Sequence, residues 1–299
     1  MDCQLCPRRC DVDRKRTTGF CGATAKLEVA SVCVHRGEEP PISPIVNVFF
    51  AHCNLQCIYC QNWQISSRQS AETTEPLSDS GEIIEEICRF LPETNGILGF
   101  VTAAHYADRI PEIVEGVRQR GSRPTVVYNS SGYERLETLR NLEGLVDIYL
   151  PDMKYQDSKI AESYSHAPDY PEVAAAALLE MKRQVGSGLK CDDEGHAFRG
   201  LIVRHLVLPG HTDNSLACLE WLADNFFAPT LHVSLMAQYF PPRAGLPSPL
   251  DRPLTTEEYA VVADRYRQLG FDGWLQEMEA QQNYRPDFTV EGNPFESKK

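Results

Sequence analysis

Cysteine is where the chemistry of this 299-residue chain concentrates. There are 11, and eight of them (Cys3, Cys6, Cys10, Cys21, Cys33, Cys53, Cys57 and Cys60) fall in the first 60 residues. An even scatter would put about two there. Thiolates bind soft metals and iron–sulfur clusters, and thiols also pair as disulfides in secreted scaffolds. The opening MDCQLCPRRC lacks the apolar core of a secretory leader. A chain of this length buries a large core without covalent staples, and an odd total prevents complete pairing. Metal or cluster binding is the expectation, in a cytoplasmic protein.

Two spacings stand out. Cys53-Asn-Leu-Gln-Cys57-Ile-Tyr-Cys60 is a C-x3-C-x2-C loop placed directly after the apolar run Ile45–Phe50. Three thiolates on one short loop can wrap a [4Fe–4S] cluster and leave one iron open, and an open position marks a reactive metal site. The alternatives are a zinc loop or three unlinked thiols. A closed zinc site wants a fourth ligand, and no Cys or His follows at ordinary spacing; His52 adjoins Cys53. The second group is Cys3-x2-Cys6-x3-Cys10-x10-Cys21, followed by Gly22. Four cysteines so close together read as a second metal site, either structural zinc or a second [4Fe–4S] cluster acting as electron relay or substrate anchor. Its spacing matches neither a zinc ribbon nor a ferredoxin run. Cys33 is a spare ligand, and Cys88, Cys191 and Cys218 read as ordinary packed or exposed thiols. Arg8, Arg9, Arg14, Lys15 and Arg16 between the first cysteines read as a solvated loop, or as charge that favours reduction of an anionic cluster or meets an acidic partner. Trp63 reads as a shield for the second loop or as plain core.

The elements that must position these groups follow from patterning. Beyond a short strand at 27–34 and the prolines 40, 41 and 44, six apolar runs recur: 45–50, 97–101, 125–128, 145–150, 201–208 and 231–236. Helical stretches lie between them at 79–90, 107–120, 133–141, 171–185 and 213–225, and a last one follows at 255–269. Alternation of this kind predicts an α/β fold with a parallel sheet and right-handed crossovers. A partial (β/α)6 TIM-like barrel, a closed barrel and a doubly wound sheet all fit the pattern. We divide the chain into a Cys-rich metal-binding extension at 1–40, a core at 41–282 and a polar, frayed tail at 283–299. In parallel α/β folds sites gather at the carboxyl ends of strands. Those ends carry His52-Cys53, Thr102 to His105, Asn129 to Ser131, Asp152 to Lys154, Pro209 to His211 and Gln238-Tyr239. Each alone is normal turn chemistry; six at one mouth predict a pocket.

Composition closes off other classes. A net charge of −13 excludes general nucleic-acid binding, since phosphates need compensating Lys and Arg; a local basic groove stays open. The longest apolar run, Val173 to Leu179, is too short to span a bilayer. Hydrophobic and charged fractions of 42% and 24% rule out collagen, coiled coil and wholesale disorder.

The cysteine loop after a first barrel strand resembles that of the radical S-adenosylmethionine (SAM) superfamily, over residues 42 to 280. The stretches FFAHCNLQCIYCQNW, YNSSGYERLETL, DIYLPDMKY, IVRHLVLPGHTDN and SLMAQYFP are similar to those of pyruvate formate-lyase activating enzyme-related proteins. The resemblance implies a partial (β/α)6 barrel in which Cys53, Cys57 and Cys60 hold a [4Fe–4S] cluster. SAM chelates the open iron and is reductively cleaved to a 5′-deoxyadenosyl radical that abstracts hydrogen. Tyr59 would lie beside the adenine. Asp152 and Lys154 match a D-x-K element at the SAM carboxylate and a cation site, and Arg204 and Asn129 match two further SAM-site positions. Ser131 joins them at its strand end. Thr102 stands where the activating enzymes have a Gly-Gly-Glu stretch, and Gln238 where they have a histidine; His105 reads as structural. By resemblance the chain is an oxidoreductase acting on a protein or peptide partner, as an activating enzyme acts on a glycyl radical enzyme, with an electron donor such as flavodoxin or ferredoxin. A small metabolite or nucleoside substrate is the second reading, and a non-catalytic iron–sulfur or zinc carrier the third.

Overall fold

The computed structural model describes residues 3–67, 75–283, 285–290 and 292–296. Its sheet has nine strands: β1 (Val29–His35), β2 (Ile45–Phe50), β3 (Ile97–Val101), β4 (Thr125–Ser130), β5 (Ile148–Pro151), β6 (Lys190–Cys191), β7 (Ala197–Leu206), β8 (His232–Met236) and β9 (Asp272–Leu275). The order β1-β2-β3-β4-β5-β7-β8-β9 is an open path, with β6 paired to β7 alone. All pairs from β2 to β9 along this path are parallel, whereas β1 runs antiparallel to β2. The helices are α1 (Trp63–Ser66), α2 (Ser80–Phe90), α3 (Ile110–Gln119), α4 (Leu136–Asn141), α5 (Ser158–Ser165), α6 (Tyr170–Val185), α7 (Thr212–Asn225), α8 (Thr256–Leu269) and α9 (Ala280–Asn283). Six β/α units, from β2 to α8, make the partial barrel. Two strands, β6 and β9, and the helices α1, α5 and α9 are additions to the expected pattern. None of them has an apolar run: β9 reads DGWL and α5 SKIAESYS.

The helices start where side chains cap them. Asp79 accepts hydrogen bonds from the Gly81 and Glu82 N–H groups at the head of α2, and Thr255 with Glu258 forms a reciprocal capping box on α8. Their apolar stripes, Ile83, Ile84 and Ile87 on α2 for example, then pack on the sheet.

Strand parity sorts the interior into layers. Val46, Val48, Phe50, Leu98, Phe100, Val126, Tyr128, Tyr149, Leu201 and Val203 face the helices in the main core. Their alternates face the barrel axis. At the amino ends Ile45, Ile97, Val127, Ile148 and Ile202 close it with an apolar plug, joined by Ile42 from below. Towards the carboxyl ends the inward positions turn polar, at Asn47, Asn129, Asp152, Arg204 and Ser234. Burying five or more branched side chains fixes the plug at about 2 kcal/mol each, so polar side chains are tolerated only above it.

The amino-terminal extension folds over the carboxyl end of the barrel. Arg14 donates to the His105 carbonyl at 2.6 Å, Arg135 to the Gln4 carbonyl at 2.6 Å, and Thr138 to the Leu5 carbonyl at 2.6 Å. Cys21, Ala23, Leu27, Val29 and Val32 share the main core. The described residues of the closing segment, 285–290 and 292–296, expected to fray, instead pack. Phe288 is buried against Phe49, the Phe295 ring stands 4.0 Å from His35, and Asn293 donates to the Val34 carbonyl at 2.8 Å. Two aromatic side chains outweigh its polar composition. No helix among the described residues is long and apolar enough to cross a membrane.

Candidate active site

The loop after β2 carries Cys53, Cys57 and Cys60 at the mouth. Its backbone enters the left-handed region at His52 (φ 72°) and Gln56 (φ 58°), as does Thr102 (φ 57°) after β3. Non-glycine residues are uncommon there, and a β-branched threonine is an outlier, so the mouth stores backbone strain. Eleven of the barrel residues singled out from the sequence line one cavity of about 350 Å³, whereas His52, His105 and the strand end Pro209 to His211 do not. The eleven are the three cysteines and Tyr59, Thr102 after β3, Asn129 and Ser131 at β4, Asp152 and Lys154 after β5, Arg204 on β7 and Gln238 after β8.

The sulfurs are free thiols, each with a donor directed at it. Leu55 N–H reaches Cys53 Sγ at 3.3 Å, Ser165 Oγ reaches Cys57 Sγ at 2.9 Å, and Ser66 Oγ reaches Cys60 Sγ at 3.3 Å. Burial pushes the Cys53 thiol up to about 12, with Cys57 and Cys60 adding to the rise. Burial also raises Cys57, to about 11, while the Lys154 ammonium pulls it down. Among the described residues no three His, Cys, Asp or Glu side chains converge on a single ion.

Opposite the sulfurs, Lys154 Nζ lies 2.5 Å from Asp152 Oδ2. Burial works against the ammonium, but the carboxylate outweighs it and holds the lysine above its usual pKa. This pair is positioned by two neighbours that carried no signal in the sequence. Tyr170 donates to the Ser131 and Asp152 carbonyls and accepts from Lys154 N–H. Gly132, at φ 79°, has no room for a side chain, since a Cβ would stand 2.3 Å from the Asp152 carbonyl oxygen.

Tyr59 is buried, and its hydroxyl meets Tyr155 at 2.5 Å, which continues to Ser165 at 2.7 Å and so to Cys57. Gln238 belongs to an amide network: it donates to Gln61 Oε1 at 3.1 Å and accepts from Gln276 Nε2 at 2.9 Å. Arg204 is paired with carboxylates. It lines the cavity, but its guanidinium is held by Glu39 through two hydrogen bonds of 2.8 and 2.6 Å, and by Glu38. Burial opposes the charge on Arg204, yet the two carboxylates raise its pKa well above normal; Glu38, also buried, is lowered by Arg204. Glu38 and Glu39 come from the β1–β2 connection, which returns into the barrel, a placement no local motif announces. Leu55 within the cysteine loop, Gln61 and Asn62 just after Cys60, and Val101 beside Thr102 are additional lining residues that adjacency could have suggested.

His105 is buried, donates to the Ala51 carbonyl at 2.8 Å, and is lowered to about 3 by burial, so it is a neutral structural histidine. Trp63 is not core: it is 37% exposed, and it does not line the cavity. Cys33 lies within β1, packed with Phe49, Ile65 and Phe288. Cys88 is half-buried, Cys191 exposed and Cys218 buried.

No protein-family model matches the chain. An uncharacterised protein of Methanocaldococcus jannaschii is 29% identical over 281 residues, covering 91% of this chain and 76% of that relative. A second uncharacterised protein of the same organism is 26% identical over 103 residues, 29% of this chain and 31% of its own length. Among solved structures, a domain of pyruvate-formate lyase-activating enzyme from Bacteroides vulgatus aligns with 57% of this chain and 92% of its own, at 12% identity and a TM-score of 0.40. HydG, a maturase of the [FeFe]-hydrogenase, aligns with 73% of this chain and 47% of its own, at 14% identity and a TM-score of 0.47.

Proposed function

We propose that this chain is a radical SAM enzyme whose reaction takes place in the cavity at the barrel mouth. One observation carries the reading: the C-x3-C-x2-C thiols share a single cavity with every other barrel residue that the family resemblance selects. The donor set fits a [4Fe–4S] cluster. Three free thiols stand on one loop, each with an O–H or N–H aimed at its sulfur, and a lysine ammonium lies close enough to favour the Cys57 thiolate. Three cysteines leave one position for SAM. Bound there, a reduced cluster with SAM supplies one-electron cleavage of the sulfonium, giving methionine and a 5′-deoxyadenosyl radical for hydrogen abstraction.

The chain's own residues bind and orient. Lys154, kept charged by Asp152, presents an ammonium to the carboxylate of the methionine moiety. Tyr59, fixed by Tyr155, offers its ring to the adenine. Gln238 is held in orientation by Gln61 and Gln276. Thr102, Asn129 and Ser131 supply the remaining polar wall, and the plug below keeps water from entering through the amino ends.

A protein or peptide is the leading substrate, with flavodoxin or ferredoxin as the electron source. A small metabolite is the second reading, favoured by the polar floor of Glu38, Glu39 and Arg204, which suits a compact ligand. Anaerobic incubation of the iron-loaded chain with SAM and dithionite should yield 5′-deoxyadenosine and methionine, and Cys57→Ala should abolish both. A wild-type chain that neither binds nor cleaves SAM sinks the reading. With candidate substrates, a mass change on a protein favours the first and a modified small molecule the second.

A further inference from the structure

The four amino-terminal cysteines lie outside the cavity just described, and their surroundings form a built site. Cys6 and Cys21 are buried, while Cys3 and Cys10 are half-buried and closer to solvent. Cys6 lies within electrostatic reach of Cys10 and Cys21, and Cys21 within reach of Cys3 and Cys10. The loop is closed by Cys3 N–H to the Val12 carbonyl (2.9 Å) and Asp11 N–H to the Cys3 carbonyl (3.2 Å). It takes left-handed backbone at Arg9 (φ 41°) and Asp11 (φ 50°). Two sulfurs accept backbone N–H groups, Cys10 from Phe20 at 3.2 Å and Cys21 from Ala23 at 3.4 Å. A Cβ at Gly19 would stand 2.8 Å from Cys10 Sγ, so a side chain there would have to displace that sulfur. Four cysteine thiolates can hold either a tetrahedral zinc or a cubane; the ties to the barrel's cysteine loop favour the redox-active group.

The loop is also tied to the barrel's cysteine loop. Arg8 donates from Nε to the Asn54 carbonyl at 2.9 Å, and from its two Nη atoms to the carbonyls of Ser165 (3.0 Å) and His166. Asn54 follows Cys53, and Ser165 is the residue whose hydroxyl reaches Cys57. Gln56, between Cys53 and Cys57, reaches the Cys53 carbonyl at 2.9 Å and the Cys21 carbonyl at 3.5 Å. Two side chains thus connect the polypeptide around both cysteine groups.

We propose that Cys3, Cys6, Cys10 and Cys21 hold a second [4Fe–4S] cluster, and that this site relays electrons to the one on Cys53, Cys57 and Cys60. The inference on the relay rests on the SAM reading above; the metal assignment does not. One electron leaves an external one-electron donor of the flavodoxin or ferredoxin class, which is oxidised, and enters through the half-buried side at Cys3 and Cys10. It leaves on the side of Cys21 and Arg8, so the amino-terminal site returns to its oxidised form as the mouth site is reduced.

Metal content of the full chain, reconstituted anaerobically, tests the assignment. The Cys53→Ala/Cys57→Ala/Cys60→Ala variant should retain about four irons and four sulfides and give a reduced-cluster EPR signal. Zinc in their place, or no metal, overturns the proposal. In case that variant does not fold, Cys6→Ala/Cys21→Ala should lower the wild-type iron from about eight to about four per chain; an unchanged count also overturns it. The relay is read from 5′-deoxyadenosine formation by Cys6→Ala/Cys21→Ala. Its rate with dithionite should stay within about twofold of wild type and fall at least about tenfold with reduced flavodoxin. Equal losses with both reductants overturn the relay. A failure of SAM cleavage in wild type would leave the iron counts to decide the site alone.

Discussion

The two cysteine loops solve different problems with the same side chain. The mouth loop hangs from the end of β2, has three thiols, and opens onto a cavity of about 350 Å³. The amino-terminal loop has four thiols, lines no part of that cavity, and is held down by guanidinium groups on backbone carbonyls. A rigid strand end supplies precision where a ligand must be met. A clamp of arginines and main-chain turns suffices where no ligand has to be admitted. Ligand number and access differ together, as they do between open catalytic and closed structural metal centres.

The largest effect that would sharpen this contrast is on the mouth side. Asp152→Asn leaves the Lys154 ammonium, 17% exposed beside the thiols, unpaired, and removing one partner of such a pair costs about 3 kcal/mol, the low end for buried pairs. Denaturant unfolding of the metal-free chain should show that loss, and calorimetry of the loaded chain should show weaker SAM binding. An unchanged midpoint would mean that the pair is not buried as described.

The second effect is pH-dependent and lies where the two regions meet. Glu134 follows the β4 end, accepts from Ser130 Oγ at 2.6 Å and from Tyr128, and its charge reaches Cys6. Burial raises its carboxyl to about 7, against the two hydroxyls that favour the charged form. The folded chain therefore keeps a proton that the unfolded chain gives up near 4.5. Stability should fall by about 3 kcal/mol as pH rises from 4.5 to 7 and level off above. Glu134→Gln, which cannot ionise, should flatten that window, and thermal unfolding across it is the check.

Two smaller changes separate the loops. Gly132→Ala should cost about 2 kcal/mol through its left-handed backbone and the clash with the Asp152 carbonyl, and should weaken SAM binding without altering the amino-terminal iron. Arg8→Lys keeps the charge but loses the planar fork that serves three carbonyls, at about 1 kcal/mol. Limited proteolysis should then cut sooner within residues 3–25 while the barrel stays intact; equal protection of both variants would show that Arg8 does not hold the loop.

Much of the barrel was readable in advance because its strands are apolar runs punctuated by turn residues. The predicted 45–50 and 97–101 coincide with β2 and β3, and the capping residues Asp79 and Thr255 mark the helix starts. The strand-end rule gathered Asn129, Asp152, Lys154 and Gln238 without knowledge of the fold. What escaped depends on distant approach. Glu38 and Glu39 matter only because the β1–β2 connection returns to Arg204, 165 residues later for Glu39. Tyr155, Ser165 and Tyr170 serve the site through hydroxyls that look like ordinary helix and loop polarity, and Phe288 and Phe295 hold a tail whose composition reads as solvent-facing.

The antiparallel strand β1 carries a consequence for the order of assembly. Its connection to β2, residues 36–44, closes a short hairpin-like loop, whereas β2 and β3 must wait for the whole segment 51–96 between them. Short closures cost less chain entropy and form sooner. During synthesis, which proceeds from the amino terminus, the β1–β2 pair can form while the later strands are still unmade. Both cysteine loops flank that pair, so there is an early interval in which all seven thiols are accessible and the barrel has not yet closed over them.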